Sequence, residues 1–181
     1  MNIVINPHKF NSQCIFFLDK KKNNIINGCF SKIIYSTECF TMNGIFVVIP
    51  LISKSPNLIN NTTENAVLSR DDLSSRYIET SDNKYTVYFY THDVNNLQYI
   101  TIISEIENAI INTYKEMNGV KKRSNLVLTQ QLYRGFFKIY KEKQNCKSTT
   151  DMKYMLKISG VWENTEEVGI TYKFIEIYDN K

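Results

Sequence analysis

Hydrophobic and polar positions follow two different periods along this chain, and the switches between them divide it into three parts. In the first part, QCIFFLDK, CFSKIIYST and GIFVVIPLIS are short runs rich in β-branched and aromatic residues. Polar KKNN, Gly28 and the pair Asn43-Gly44 punctuate them, which is the pattern of strands and turns. Asn43-Gly44 is either a tight hairpin turn or a bulge in one long bent strand from Phe40 to Pro50. Further on, KYTVYFYT alternates: Tyr85, Val87 and Phe89 face one way, and Lys84, Thr86, Tyr88 and Tyr90 the other.

The period then lengthens. Between Asp93 and Asn118, the residues Tyr99, Ile103, Ile106, Ile110, Tyr114 and Met117 recur every three or four positions, a stripe along a helix, with Glu105, Asn108, Asn112 and Glu116 outside it. Asp93 suits an N-cap and Gly119 the left-handed residue that ends a helix. A basic cluster at Lys121, Lys122 and Arg123 and a connecting segment, SNLVLTQQLYRG, come next. Period two then returns in three closing strands, FFKIYKEK, MKYMLKISGVW and EVGITYKFIEIY, the last two joined by a turn at ENTE. Residues 53–83 show neither period and read as a long polar surface loop, with room for a short helix near Ser69.

Strands, one long helix and more strands, without βαβ alternation, disfavour a parallel sheet. The chain is predicted to be a single domain, residues 1–181, mainly β with one long helix. An OB-like antiparallel β-barrel, the oligonucleotide-binding layout, is the economical arrangement, and an α+β antiparallel sandwich fits the same order of elements. Gly160 and Gly169 would supply the sharp strand bends a small barrel needs.

Charge and composition change this picture modestly. The net charge of +4 permits an anionic partner without requiring one. Asn, Ile and Lys make up about a third of the chain, the bias of an AT-rich genome, so lysine position is informative where lysine number is not. The four cysteines, Cys14, Cys29, Cys39 and Cys146, form no CxxC pair, and His8 and His92 stand far apart, so neither a metal nor another cofactor is expected. MNIVINPHKF lacks the features of a secretory signal, and no apolar run is long enough to span a bilayer. The expectation is an intracellular protein without a membrane partner.

The candidate chemistry lies in the closing strands. Alternation in FFKIYKEK puts Phe137 and Ile139 on one face and Phe136, Lys138 and Tyr140 on the other. Two rings flanking a lysine can stack on bases and meet a phosphate, the residue pattern of single-strand binding. Phe136 and Tyr140 could equally pack beneath the helix or the long loop. In the next strand, strict alternation groups Tyr154, Leu156, Ile158 and Trp162 against Met155, Lys157 and Ser159. In the last, it groups Ile170, Tyr172 and Phe174 against Thr171, Lys173 and Ile175. A single mid-strand lysine would be an edge guard, but three in adjacent strands could line a basic face. The proposed stacking residues are Phe136, Tyr140, Trp162 and Tyr172, with Trp162 the one that shares a face with core residues. The proposed phosphate contacts are Lys138, Lys157, Lys173, Arg134 and the cluster Lys121, Lys122, Arg123, with the run Lys20 to Lys22 as another basic turn.

No motif of a hydrolase nucleophile, a nucleotide-binding loop or a metalloprotease occurs, and Asp71-Asp72 lacks partners at metal-binding spacing, so no catalytic residue is assigned. FSKIIYSTECFTMNGIFVVI, ISEIENAIINTYKE and MLKISGVWENTEEVGITYKFIEI are together similar to OB-fold single-stranded DNA-binding proteins of large DNA viruses with AT-rich genomes, insect viruses among them. The resemblance runs from about Phe16 to Ile177, apart from the 53–83 loop. It implies a protein that coats exposed single strands of DNA, or of RNA, in viral-type replication or recombination, without base specificity or enzymatic activity. The nucleus or a cytoplasmic replication site is the location that the resemblance implies. It also implies a tendency to homo-oligomerise, although the acidic tail such proteins carry is reduced here to IEIYDNK. The rival expectation is a non-catalytic interaction or virion structural protein whose exposed tyrosines bind protein.

Overall fold

The fold was analysed in a computed structural model, which describes residues 3–23, 27–51, 77–80, 84–140 and 153–177. Strands β1 (Ile15–Phe17) and β2 (Lys21–Asn23) lie along one edge of β3 (Gly28–Ser36). Strands β4 (Thr41–Asn43) and β5 (Ile45–Ile49) are halves of one bent strand: β4 pairs with β3, and β5 pairs with β10. The bend is at Gly44, where φ is +97° and a Cβ would lie 2.6 Å from the Ile158 carbonyl oxygen. Only glycine fits both the conformation and the approach. Of the two readings of Asn43-Gly44, the bent strand is the one observed.

Helix α1 (Val94–Asn118) begins where its cap predicts. The Asp93 carboxylate accepts from the N–H groups of Asn95 and Asn96, and Gly119 closes the helix with φ +63°. Its buried face runs through Ile100, Ile103, Ile106, Glu107, Ile110, Ile111 and Tyr114. Met117, assigned to the stripe from its spacing, is 62% exposed, because the core ends one turn earlier.

The closing half differs more from expectation. SNLVLTQQLYRG is not a simple connection: it contains β8 (Arg123–Asn125) and the short helix α2 (Val127–Tyr133). Strands β9 (Phe136–Tyr140), β10 (Lys153–Asn164) and β11 (Glu167–Ile177) follow. At the β10–β11 turn, Asn164 Oδ1 accepts from the N–H groups of Glu166 and Glu167. Part of the expected polar loop is also a strand, since β6 (Tyr77–Thr80) pairs with β7 (Lys84–Tyr88). Apart from β6, the rest of 53–83, including Ser69 and Asp71-Asp72, lies outside the described residues.

The barrel expectation is corrected by the topology. The main path runs β1-β3-β10-β11-β9-β7-β6, and among the described residues no ladder joins its two ends, so the sheet is open. It is also mixed, with β8 and β9 lying parallel to β11. The physical reason is the placement of α1 and α2. They intervene between successive strands, return the chain to β11 in a parallel sense and pack on one face of the sheet, so the core lies beneath the helices rather than inside a closed barrel. The result is a mainly β, α+β fold with both helices on one face of the sheet. The core fills that inner face: Ile33, Tyr35, Ile45, Val47, Val87, Phe137, Ile139, Leu156, Ile158, Val161, Ile170 and Phe174 meet α1 and α2. Phe137 is its hub, stacked on Phe174 at 4.4 Å and edge-on to Tyr154 at 4.9 Å.

Candidate nucleic-acid interface

The face of the sheet opposite the helices is where lysines and rings collect, and a bulge decides which residues reach it. Pairing of β10 with β11 runs in step from Lys153↔Ile177 to Ile158↔Tyr172, then skips a residue and resumes at Gly160↔Thr171. One extra residue reverses the alternation beyond it. Strict alternation joined Trp162 to Leu156 and Ile158. The bulge instead puts Val161 into the core and Trp162 on the outer face with Met155 and Lys157.

Three candidate lysines form a row across that face. Lys157 is directly opposite Lys173. Ile139 pairs with Phe174 in the parallel β9–β11 ladder, so one step back along both strands sets Lys138 beside Lys173. Lys138 and Lys173 are exposed; Lys157 is half-buried, its ammonium 5.0 Å above the centre of the Phe46 ring on β5. Neighbouring strands lie about 4.8 Å apart, so the row spans roughly 10 Å. Among the described residues none of the three forms an ion pair. Met155 and Thr86 are buried on this same face, so its open strip follows Lys138, Lys173 and Thr171.

The other candidates separate. Phe136 is half-buried on the outer face, its ring 6.2 Å from that of Tyr88. Tyr140 continues β9, paired through its backbone with Lys84, but its side chain lies outside the described residues, as does Cys146. Tyr172 projects to the inner face. Its hydroxyl is 2.7 Å from Gln131 Oε1 on α2, and its ring meets Phe174 edge-on. Burial, helped by the nearby Glu107 charge, pushes its pKa up to about 12. It belongs to the packing between sheet and α2 and does not share a surface with the lysine row. Arg134 is exposed at the end of α2.

The two basic runs are divided between inside and outside. Lys122 and Lys20 converge on Glu163, at 2.6 Å and 3.0 Å, and the Tyr114 hydroxyl donates to the same carboxylate at 2.9 Å. Burial alone would raise the Glu163 pKa, but these three donors outweigh it and hold the carboxylate at about 2. Lys122 also donates to the Asn164 carbonyl, and Arg123 pairs with Glu167. The geometry thus gives Lys122 and Arg123 a structural task, tying β8 to the β10–β11 turn, while Lys121 stays exposed.

Two residues not singled out from sequence, Phe30 and Lys32, share the outer face with Lys21 of the Lys20 to Lys22 run. Phe30 on β3 pairs with Trp162 on one side and with Lys21 on the other, and Lys32 pairs with Gly160. Lys21 and Lys32 are exposed, while Phe30 and Trp162 are half-buried. The signal for Phe30 and Lys32 was the alternation of CFSKIIYST itself, left without an outward face because no neighbour of β3 could be assigned from sequence. Gly160 and Gly169 do not serve a barrel corner. They leave room for rings: Phe30 lies over Gly160, and a Cβ at Gly169 would fall 2.5 Å from Trp162 Cζ2. The Trp162 indole N–H donates to the Ile170 carbonyl at 3.1 Å, which pins the ring across β11.

Among the described residues, no group of three or more His, Cys, Asp or Glu is placed to hold a metal, and no helix is long and apolar enough to cross a membrane. No protein family, no curated protein and no solved structure matches the chain.

Proposed function

We propose that this chain binds single-stranded nucleic acid, DNA in the first place and RNA by the same chemistry, on the outer face of its sheet. The observation that carries the reading is the row Lys138, Lys173, Lys157 across three adjacent strands. The edge-guard explanation for a strand lysine does not apply, because β9, β10 and β11 each have neighbours on both sides. Like charges directly opposed across a ladder destabilise it, and Lys157 opposite Lys173 is such a pair. A polyanion laid over the row relieves that repulsion. The Phe136 ring flanks it on β9 and supplies a stacking surface for an unpaired base, worth roughly 1–3 kcal/mol.

In this reading the protein is a non-catalytic binder without base preference, suited to covering exposed strands during replication or recombination, with several copies along one strand. The lysines contact phosphates and the Phe136 ring stacks; Tyr172, Lys122 and Arg123 hold the fold. The test is a titration of fluorescently labelled oligo-dT at two salt concentrations, beside a duplex of equal length. Binding at micromolar concentration in low salt, weaker in high salt and weaker for duplex, is expected. Affinity no better than about 10 micromolar at low salt, or equal affinity for duplex, removes the reading. A nearly flat salt response would point to a protein partner instead.

A further inference from the structure

The outer face carries a second cluster that the lysine row does not include: Phe30 and Trp162 side by side, Lys21 next to Phe30, and Lys32 two residues further along β3. We infer that this cluster is a second contact point for the same strand, with Phe30 and Trp162 as a paired stacking platform and Lys21 and Lys32 as its phosphate contacts. The inference rests on the single-strand reading above and adds to it a path. The nucleic acid crosses the β-strands diagonally, from β9 over β11 and β10 to β3, rather than following any one strand.

Several independent features support the platform. Both rings occupy room left by glycines, Phe30 over Gly160 and Trp162 over Gly169, so each is supported from beneath by backbone. The indole is held by its hydrogen bond to the Ile170 carbonyl, so ordering it costs little further entropy on binding. Both rings are only half-buried, although packing alone would favour covering them. The only described acidic side chain that alternation turns to this face on β11 is Glu167 at its edge, and Arg123 pairs with it. Thr171, exposed between Lys173 and Gly169, leaves the path between the two clusters open.

The separation is set by the sheet. From Lys173 to Gly169 is four residues along β11, and from β9 to β3 is three strand spacings, so the ends of the path lie roughly 20 Å apart. That is the reach of a few extended nucleotides, and each cluster alone would hold only part of them.

Trp162 is the sole tryptophan, which makes it a direct reporter. In a titration of the full-length protein with oligo-dT of about ten nucleotides, Trp162 emission is expected to quench saturably, with the midpoint given by the anisotropy of a labelled oligonucleotide. Phe30→Leu keeps an apolar cover over Gly160 but removes the ring, and it is expected to weaken binding by roughly tenfold. Binding by anisotropy with unchanged Trp162 emission and unchanged affinity of Phe30→Leu overturns the diagonal path and leaves the lysine row standing. Absence of binding by either signal removes the single-strand reading and this inference with it. Should Phe30→Leu fail to fold, the emission of the unaltered protein still decides.

Discussion

Glu163 shows how one residue can redirect the meaning of a charge run. Two lysines that look, in sequence, like free phosphate contacts are drawn onto its carboxylate, and the Tyr114 hydroxyl completes the set. The consequence for stability has a definite sign. In the fold Glu163 keeps its charge down to about pH 2, whereas an ordinary glutamate takes up its proton near 4.5. Its contribution is therefore complete above about pH 4.5 and is lost as pH falls toward 2. Glu107 works in the opposite sense. Its burial raises its pKa against donors from Leu128 and Thr129, so its cost is absent in acid and appears as pH rises. The difference between the wild type and Glu163→Gln isolates the first effect. In urea unfolding from pH 7 to pH 2, the variant is expected to be less stable by about 1–3 kcal/mol at neutral pH, with the gap closing in acid. A gap that does not change with pH would contradict the assignment.

At the scale of elements, what was legible and what was not separate along a physical line. The ends of helix α1 were readable to the residue because their signals are local, a carboxylate cap at Asp93 and a left-handed glycine at 119, while the stripe between them overran the core at Met117. The strands were readable individually, yet their faces were not, because the bulge near Ser159 depends on how β10 meets two partners at once. That one residue puts Trp162, a proposed stacking residue that strict alternation grouped with Leu156 and Ile158, on the outer surface. Strand alternation did place Lys138, Lys157 and Lys173 away from the core, and it also put Tyr172 with Ile170 and Phe174, where it is found. The short helix α2 was missed because its N-terminus has no side-chain cap of its own. Glu107, twenty residues earlier on α1, supplies the acceptors for Leu128 and Thr129. Gly160 can be tested directly. An added Cβ there meets the Phe30 ring and the Ser31 carbonyl, so Gly160→Ala is expected to cost about 1–3 kcal/mol, read as a lowered urea midpoint. A neutral result would mean that Phe30 does not lie over this position.

For the molecule as a whole, the open sheet is what leaves one broad face away from the helices. A closed barrel would leave only its loops and one groove for a ligand. Here α1 and α2 cover one face, and the other presents Lys138, Lys173, Lys157, Lys32 and Lys21 with Phe30, Trp162 and Phe136 among them. The net charge of +4 is mild, so attraction to a polyanion depends on this local arrangement rather than on the overall field. If these lysines neutralise phosphates, the salt dependence of affinity counts them directly. For single strands each phosphate contact contributes about 0.7 to the slope of log affinity against log salt, so three to five lysines give a slope of about −2 to −3.5. Titrating oligo-dT across a salt series should give a slope in that range for the wild type, less steep by about 1.4 for the double substitution Lys138→Gln and Lys173→Gln. An unchanged slope in the double variant would show that the nucleic acid does not lie on this row.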